Sequence, residues 1–400
     1  MKQLNGGSSM GVKKNCPVCE SGNILIFLQR LQVPVQQNNF YATAEEAKNC
    51  QRGDLRMAFC ENCGFVFNAA FDDELMRYSS SYNNVQETSA HFVDHLEKMR
   101  KRITDTIPAN ARIVEVGCGK GFFFKSLIAD EKMHYQGIGM DAAYEGEETM
   151  FGGRLRFFKR YFDHECVDMK PDAVVCRHVI EHVADPRTFL HEIKLALKEA
   201  PDCRLFFETP CINWIFRTAT IWDFFYEHCS IFSPDSLKFL FESCGFKVNR
   251  VDQVFSGQYL WLEGQNKCET IAVEPTSTPT LLHHFIKEEQ RQSMAWQSIL
   301  QQKNRNGKVA VWGAGAKGVT FANLFDPQQN LVDCLIDVNP AKQGLFVPAT
   351  AHRVCGPERL LQDKFAAVIV MNPNYLGEIA RKIEKMGIVT ELITEPGEHP

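Results

Sequence analysis

The segment Val114-Glu115-Val116-Gly117-Cys118-Gly119-Lys120-Gly121 decides the fold of this chain, because a short β-rich run leads directly into three alternating glycines. A βαβ nucleotide-binding unit needs glycine where its backbone turns tightly and passes close to a ligand. The next apolar run ends at Asp141, 20 residues after the last glycine. A carboxylate there can accept hydrogen bonds from ribose hydroxyls. The sequence therefore predicts a nucleotide-containing cofactor against Gly117, Gly119 and Gly121, with its ribose on Asp141.

An acidic residue beside the loop argues against a dinucleotide. Glu115 lies two positions before the first glycine. A pyrophosphate favours helix N-terminal NH groups without a negative neighbour. A fixed carboxylate is better suited to a cationic ligand such as S-adenosylmethionine (SAM). The segment is thus typical of a SAM-dependent methyltransferase, and we expect Glu115 to belong to the cofactor site.

Strand and helix patterns alternate around this loop. Strands are predicted at residues 112–116, 135–140, 154–158, 172–176, 204–208, 246–251 and 258–262, with helical patterns at 189–197 and 234–244 among those between them. Such alternation predicts an α/β fold with a mostly parallel, doubly wound sheet. The last two strands follow each other closely, so we expect them to form an antiparallel end of the sheet. The central part is therefore predicted to be a class I (Rossmann-like) methyltransferase domain.

Length and composition limit the classes of protein that fit. The chain has 400 residues, 44% of them hydrophobic and 23% charged, which predicts a soluble globular protein of two to three domains. A net charge of −5 argues against a nucleic-acid partner. The longest apolar run near the N-terminus, residues 24–28, is too short for a membrane span or a signal sequence. We therefore expect a cytoplasmic protein without a membrane partner, whose fifteen cysteines are reduced.

Two Cys-x-x-Cys pairs, Cys16/Cys19 and Cys60/Cys63, frame the N-terminal part of the chain. This spacing is typical of a tetrahedral zinc site, in which the metal stabilises a fold whose own core is small. Four thiolates leave no open coordination position, so the predicted zinc is structural. A redox pair or a chance spacing is the alternative interpretation.

A second strand, glycine loop and helix start occurs near the C-terminus, in Val309-Ala310-Val311-Trp312-Gly313-Ala314-Gly315-Ala316-Lys317-Gly318. The next strand ends at Asp337, 19 residues after Gly318. This pattern predicts a second Rossmann-like domain, whose glycines either bind a nucleotide-containing ligand or only shape a turn. The predicted organisation is a disordered N-terminus (1–14), a zinc-binding module (15–70), a SAM-dependent methyltransferase domain (71–265), a linker and helix (266–306) and a C-terminal Rossmann-like domain (307–400).

Further polar residues follow the strands of the central domain. Ligands in open α/β sheets bind beyond the carboxyl ends of the strands. The run Tyr161-Phe162-Asp163 follows the third strand, so we expect it to stack on adenine and Asp163 to accept from the adenine amino group. His178 follows the fourth strand and is expected over the sulfur of the cofactor. His182, in the same run, either contacts substrate or caps and packs the following helix.

The densest later cluster is Tyr226-Glu227-His228, which precedes a helix start at Ser233-Pro234. A neutral histidine beside a carboxylate is a ready general base, because the acid orients the imidazole and stabilises its cation. The cluster therefore predicts catalysis or substrate contact. The alternative is a hydrogen-bonded Glu–His pair that only anchors the loop.

In this order, the parts resemble a known family, the three-domain sugar C-methyltransferases that act on nucleotide-linked keto-sugars in deoxysugar biosynthesis. The resemblance runs from Cys16 to about Ile393 and is carried by the two cysteine pairs, the loop at 114–121, the run His178-Val179-Ile180-Glu181-His182-Val183-Ala184-Asp185-Pro186, Tyr226-Glu227-His228 followed by Phe232-Ser233, and the loop at 312–318.

The resemblance implies a reaction and a set of residues. Carbon next to a ketone would be methylated, with a base removing a proton and donors holding the enolate oxygen. The C-terminal domain would help to hold the sugar nucleotide. The family's loop tyrosine, histidine and Glu–His pair would correspond to Tyr82, His182, Glu227 and His228.

Two placements stay open within this resemblance. Tyr78 competes with Tyr82 for the position of the loop tyrosine. The family commonly has an aromatic hydroxyl three positions before the last histidine, where this chain has Phe225. Either the neighbouring Tyr226 takes that role, or the substrate differs.

Three other functions remain as alternatives. An O- or N-methyltransferase would also need a base but no proton next to a ketone. A nicotinamide-dependent oxidoreductase would use the C-terminal glycine loop and Asp337. A non-catalytic, zinc-containing interaction protein would leave the intact cofactor loop and Glu227-His228 without a role.

Overall fold

The computed structural model describes residues 12–76, 89–162, 164–167, 169–267 and 279–396. The predicted site residues Tyr82 and Asp163, and the competing Tyr78, lie outside these ranges. Most of the predicted disordered N-terminus lies outside them too. At its described end, the backbone N of Lys13 donates to the carbonyl of Ala69 at 2.8 Å. That end therefore contacts the first sheet.

An antiparallel sheet begins the chain. It contains β1 (Ile24–Pro34), β2 (Arg52–Cys60) and β3 (Val66–Asn68), with the short helix α1 (Ala44–Lys48) between β1 and β2. The helix starts at Thr43, whose side chain and that of Glu46 form a capping box. Every residue of β3 and most of those at the end of β2 are buried. The strand β1 extends well beyond the apolar run at residues 24–28.

The central sheet follows the predicted alternation of strands and helices. In chain order, the elements of the central part of the chain are α2 (Ala90–Thr104), β4 (Arg112–Val116), α3 (Phe122–Ile128), β5 (Gln136–Met140), β6 (Thr149–Met150), β7 (Leu155–Phe158), β8 (Ala173–Arg177), α4 (Pro186–Ala196), β9 (Arg204–Pro210), α5 (Ile212–Thr218), β10 (Ser230–Ile231), α6 (Pro234–Ser243), β11 (Lys247–Val254) and β12 (Tyr259–Gln265).

The order of the central sheet is β11-β12-β9-β8-β4-β5-β7-β6. The strands β4, β5, β7, β8 and β9 are parallel, whereas β12 runs antiparallel to β9 and β11 antiparallel to β12. The predicted antiparallel end is thus confirmed. Because the parallel strands share one direction, the segments that follow β4, β5, β8 and β9 meet at one edge of the sheet.

Helix starts in the central part agree with local sequence signals. The Asp185 side chain caps α4 and the Ser233 side chain caps α6, each with proline at the first helical position. In α2, four apolar residues spaced by three or four positions face the core: Phe92, Leu96, Met99 and Ile103.

The strand β10 does not belong to the central sheet. It pairs antiparallel with β3, through Ser230↔Phe67 and Ile231↔Val66, and so completes the N-terminal sheet in the order β1-β2-β3-β10. The loop that contains Tyr226 and His228 therefore ends in the N-terminal sheet. Nothing in the local sequence predicts this pairing.

The C-terminal part forms a five-stranded, parallel α/β sheet, as predicted. Its order is β15-β14-β13-β16-β17. The elements are α7 (Pro279–Asn306), β13 (Lys308–Trp312), α8 (Ala316–Phe325), β14 (Cys334–Ile336), β15 (Val354–Cys355), β16 (Phe365–Val370), α9 (Leu376–Lys385) and β17 (Glu391–Ile393).

Aromatic packing joins the three parts of the chain. Phe27 of β1 contacts Phe216 of α5 and Phe285 of α7, with ring centroids 5.6 and 6.0 Å away. Trp222 contacts Trp296 of α7 and Phe321 of α8, both at 5.7 Å. Burial of large aromatic rings is strongly stabilising, so these contacts fix the C-terminal sheet against the central one. Among the described residues, no helix combines the length and apolarity that a membrane crossing requires.

Candidate active site

The glycine loop after β4 has the backbone that a cofactor cradle needs. Gly117, Gly119 and Gly121 all have positive φ, at 68°, 54° and 74°, which favours glycine. A Cβ on Gly117 would lie 2.2 Å from a methyl group of Val179, so this position is closed by packing. A Cβ on Gly119 would meet no heavy atom of the described residues within 4 Å. The loop is therefore open at its middle, where a ligand can approach the backbone.

Asp141 lies at the end of β5 and faces this loop. Its carboxylate accepts from the backbone N of Gly119 at 2.8 Å and from the backbone N of Ala143 at 2.7 Å. These bonds fix the carboxylate beside the open glycine. A carboxylate has about four acceptor sites, so two remain for the hydroxyls of a ribose.

Glu115 is buried within β4, at the base of the loop. Burial raises the pKa of its carboxyl group to about 8, with Arg177 opposing and Asp141 adding to the rise. Its Oε2 atom is buried and has no hydrogen-bond partner among the described residues. A buried acceptor without a partner is costly, and a positively charged donor would relieve that cost. These carboxylate acceptors thus fit the ammonium and ribose hydroxyl donors of SAM.

His178 lies at the end of β8, with φ at 54°. Its Nδ1 is 3.3 Å from Oε1 of Glu181, and its ring packs edge-on against Tyr259 at 4.6 Å. Its Nε2 is 3.6 Å from Glu208, a buried carboxylate that also accepts from Arg177 and contacts His95. His178 therefore connects the strand ends to a buried network of charges.

The residues predicted around adenine are only partly placed. Tyr161 follows β7 and is 67% exposed, so no packing among the described residues orients its ring. Asp163 lies outside the described residues. Their predicted contacts with adenine stay predictions.

A cavity of about 280 Å³ separates the central edge from the C-terminal glycine loop. From the central part it is lined by groups that include His178, Glu181, His182, Phe225 and His228. From the C-terminal part it is lined by groups that include Gly315, Lys317, Asp337, Lys342 and Lys382. Histidines of the central part, lysines of the C-terminal part and acids of both thus face one space.

His228, His182 and Glu181 form the chemical centre of this cavity. Their ligand nitrogen and oxygen atoms all lie within 4.8 Å of one another. The imidazole rings of His182 and His228 are 4.9 Å apart and nearly perpendicular. Burial lowers the pKa of His228 well below its usual 6.5, and electrostatic interactions with the neighbouring basic side chains of His182, His178 and Lys317 lower it further. His228 is therefore a neutral imidazole at neutral pH.

Glu181 was missed by the sequence analysis. It is fully buried, and its Oε2 accepts from the hydroxyl of Thr209 at 3.1 Å. It lies directly before His182. The signal that the sequence offered was an acidic residue within the segment that follows β8. The structure brings this carboxylate, rather than the sequence neighbour Glu227, to the imidazole pair.

Glu227 and Tyr226 lie outside the cavity lining among the described residues. Glu227 is fully buried and its Oε1 accepts from the backbone N of Gln37 at 2.6 Å. The Tyr226 hydroxyl accepts from the backbone N of Asp72 at 2.9 Å. The pairing of β10 with β3 turns these two side chains toward the N-terminal sheet. The structure therefore does not bring Tyr226 and Glu227 together with His228 at the cavity.

Four thiols of the N-terminal part converge, as the sequence predicts. The Sγ atoms of Cys16, Cys19, Cys60 and Cys63 all lie within 4.8 Å of one another. The distance is 3.7 Å for Cys16–Cys63 and 3.4 Å for Cys19–Cys60. Tetrahedral zinc with Zn–S bonds of about 2.3 Å separates its sulfurs by about 3.8 Å. The geometry therefore fits a four-thiolate metal site.

The C-terminal glycine loop faces the central part. A Cβ on Gly318 would lie 1.9 Å from the carbonyl oxygen of Gly313, so glycine is required for this close turn. Lys317 forms an ion pair with Asp223 across the cavity. Lys342 donates to the carbonyl of Ala314 at 2.9 Å.

Two families match the chain. Residues 89–251 match the methyltransferase domain, and residues 275–391 match the C-methyltransferase C-terminal domain.

The protein is a SAM-dependent methyltransferase.

Solved structures similar to this methyltransferase cover its central part. A putative methyltransferase in complex with the Trm112 activator of Haloferax volcanii is 16% identical over 46% of this chain and 92% of its own, with a TM-score of 0.35. The 1,6-didemethyltoxoflavin-N1-methyltransferase of Burkholderia thailandensis is 14% identical over 46% and 81%, with a TM-score of 0.35. A SAM-dependent methyltransferase of Aquifex aeolicus is 14% identical over 47% and 98%, with a TM-score of 0.35. No curated protein matches the chain in sequence.

Proposed function

We propose that this methyltransferase methylates the carbon next to a ketone of a nucleotide-linked keto-sugar. The observation that carries the proposal is the grouping of His228 with Glu181 and His182 in a cavity shared with the C-terminal glycine loop, where burial lowers the pKa of His228. The match of residues 275–391 to the C-methyltransferase C-terminal domain supports carbon as the acceptor. The resemblance described above supports the sugar.

The cofactor would lie on the loop after β4. Gly119 offers the open backbone, Asp141 would accept from the ribose, and Glu115 would accept from the ammonium group. SAM, when bound, supplies the methyl group as an electrophile. His178 at the end of β8 would lie beside it, and Asp163 is proposed for adenine from the sequence alone.

His228 is the proposed base. A proton next to a ketone is removed by a neutral imidazole, and the partly accessible ring of His228 faces the cavity. The imidazolium that forms would be stabilised by the nearby carboxylate of Glu181, since the two groups lie within 4.8 Å. His182 is close enough to take part in proton transfer. Tyr82 remains a candidate donor to the enolate oxygen on the resemblance alone.

Positive groups of the C-terminal part support a nucleotide as the anchor of the substrate. Lys317, Lys342 and Lys382 line the cavity together with Asp337. Cations suit a diphosphate, and an acid at a strand end suits a ribose. We therefore assign the C-terminal glycine loop to the substrate rather than to a second cofactor.

The four-thiolate site is proposed to hold structural zinc. A closed site of four sulfurs contributes folding energy and leaves no coordination position for substrate. The sheet that it supports also carries β10, and β10 ends the loop of His228. Zinc would thus position the base through the N-terminal sheet.

Hydrogen exchange tests this proposal most directly. A panel of nucleotide 4-keto-sugars in deuterated water, with enzyme but no SAM, should gain deuterium at one carbon next to the ketone. Labelled SAM should then place the methyl group on the same carbon. An O- or N-methyltransferase would methylate a heteroatom without this exchange, and that outcome would reject the proposal.

A second measurement addresses the oxidoreductase alternative. If Asp337 and the C-terminal glycine loop bound a nicotinamide, the fluorescence of NADH would be quenched when NADH is mixed with the protein. We expect no quenching, because Lys342 lies 3.6 Å from Asp337 and Lys317 projects into the cavity.

A further inference from the structure

The centre of the cavity offers a metal donor set separate from the four thiols. Two imidazoles and one carboxylate, from His182, His228 and Glu181, bring their ligand atoms within 4.8 Å of one another. Two histidines and one carboxylate are typical ligands of Zn²⁺, Co²⁺ and Fe²⁺ at sites that keep open positions. Glu181 and His182 lie in the segment that follows β8, whereas His228 lies in the loop that precedes β10. Two separate segments of the chain therefore supply these ligands.

The carboxylate of this set is rigidly placed. Glu181 is fully buried, its Oε2 accepts from Thr209 at 3.1 Å, and its Oε1 is 3.3 Å from Nδ1 of His178. Metal ligands are commonly oriented by such hydrogen bonds from surrounding groups. Only the two histidines would have to move when a metal enters.

The required movement of the histidines is small. Ligands of tetrahedral zinc at about 2.0–2.1 Å are separated by about 3.4 Å. The His228 ring packs against Phe225 with centroids 4.1 Å apart, and both histidines are partly accessible from the cavity. Torsional adjustment of two accessible rings can close the remaining gap.

We propose that Glu181, His182 and His228 form a second, transition-metal site that regulates the enzyme. A metal on His228 uses the same imidazole lone pair that removes the substrate proton. Occupancy and proton removal therefore exclude each other, so micromolar-class binding of Zn²⁺ or Co²⁺ would inhibit. The inhibitory role rests on the proposed function, whereas the site itself does not.

Cobalt titration tests the site without reference to activity. The full-length protein is first loaded with one equivalent of Zn²⁺, which occupies its thiols, and Co²⁺ is then added while visible absorption and calorimetric heat are recorded. We expect one Co²⁺ per chain with the spectrum of nitrogen and oxygen ligands. The variants His182→Asn and Glu181→Gln should each weaken this binding by at least tenfold, with circular dichroism confirming that they are folded.

A matched control separates the site from general histidine binding. His191 is exposed on α4, outside the cavity lining. His191→Asn should bind Co²⁺ as the wild type does. The metal site is overturned if Co²⁺ does not bind beyond the thiols, or if the two site variants bind it as tightly as the control.

Hydrogen exchange then tests the regulatory role. Exchange into a nucleotide 4-keto-sugar should slow in proportion to Co²⁺ occupancy and recover when a mild chelator removes the cobalt. Exchange that is unchanged or faster at full occupancy overturns inhibition. If the wild type with zinc at its thiols and no cobalt shows no exchange at all while the titration succeeds, the proposed function fails and the metal site stands.

Discussion

A histidine acts as a base only while its imidazole is neutral, and the surroundings of His228 favour that form. Burial is the first cause, and electrostatic interactions with the neighbouring basic side chains of His182, His178 and Lys317 add to it. Each disfavours the imidazolium and so lowers the pKa. The lowered pKa also makes His228 a weaker base. The nearby carboxylate of Glu181 offsets this effect by stabilising the imidazolium that forms when the proton is transferred.

The pH dependence of exchange follows from this shift. Because the folded pKa of His228 lies well below 6.5, His228 stays neutral as pH falls from 8 through 6.5. The rate of exchange should therefore be flat over that range and fall only at lower pH. A rate that halves near pH 6.5 would show an unshifted histidine as the base.

The same shift predicts an effect on stability. The unfolded chain binds a proton at His228 near pH 6.5, before the folded protein does. Stability from this group is therefore lost as pH falls below 6.5. His228→Asn should lose less stability than the wild type between pH 6.5 and about 5, as followed by thermal unfolding.

Substitution distinguishes His228 from its sequence neighbour. His228→Asn should reduce turnover by about 10²–10⁴-fold, the usual contribution of general-base catalysis, and leave SAM affinity intact. Glu227→Gln should instead lower stability by about 1.5–3 kcal/mol, because its carboxylate accepts from Gln37 in the buried core. If the Glu227→Gln variant stays stable and loses as much turnover as His228→Asn does, Glu227 is a catalytic residue.

Asp141 permits a similar test of the cofactor site. Asp141→Ala should weaken SAM binding by about 1.5–3 kcal/mol, the scale of a charge-assisted hydrogen bond. Loss of its bonds to Gly119 and Ala143 would also loosen the loop. Calorimetry with SAM measures the affinity, and an unchanged value would remove Asp141 from the site.

At the scale of elements, the sequence predicts which residues lie at the strand ends, but it does not predict where the side chains of the loop before β10 point. Glycines after β4, an acid after β5 and a histidine after β8 could be placed because parallel strands carry their ends to one edge. The direction of the Tyr226 and Glu227 side chains could not be predicted. It depends on Ser230 pairing with Phe67, a contact between residues far apart in the chain.

The burial of an acidic side chain could not be predicted from the local sequence either. Glu181 appears in the sequence as one polar residue in a strand-to-helix turn, with no local sign of burial. Its role emerges from Thr209 and His178, which lie on β9 and at the end of β8. A histidine beside an acid in sequence was therefore a poorer guide than a histidine facing an acid across two strand ends.

The N-terminal sheet gives a prediction at this scale. Cys60→Ala should abolish zinc retention and lower turnover, because the sheet that the cysteines support also ends the His228 loop. SAM affinity should change little, since the cofactor loop lies on β4. Cys50→Ala is the control, as Cys50 is buried in the same part of the chain but lies outside the thiol cluster. Metal analysis of reduced protein that finds no zinc in the wild type would reject the site.

At the scale of the whole molecule, the cavity exists only because the C-terminal sheet faces the central one. The aromatic contacts of Trp222 and Phe321 support that arrangement. The ion pair between Lys317 and Asp223 crosses it directly, with side chains 19% and 8% exposed. Lys317 also lies over the ring of Trp214 at 5.1 Å. A single lysine thus links the C-terminal glycine loop to the wall of the catalytic cavity.

Removing that lysine should have a cost that depends on pH. Burial raises the pKa of Asp223, and Lys317 opposes that rise. Lys317→Met leaves a buried carboxylate without its cation, which destabilises by about 3–5 kcal/mol. In the variant, the folded pKa of Asp223 exceeds its unfolded value further, so the folded protein gains a proton as pH falls. The loss of stability should therefore be larger at pH 8 than at pH 5.

The double variant completes the test. Asp223→Asn combined with Lys317→Met removes both charges, so it should recover much of the stability lost in Lys317→Met alone and lose the pH dependence. Urea unfolding of the wild type, both single variants and the double variant gives the coupling energy. Additive effects would mean that the ion pair does not join the two sheets, and the cavity would then depend on aromatic packing alone. Strong coupling would make Lys317 the residue through which the C-terminal domain shapes the space around His228.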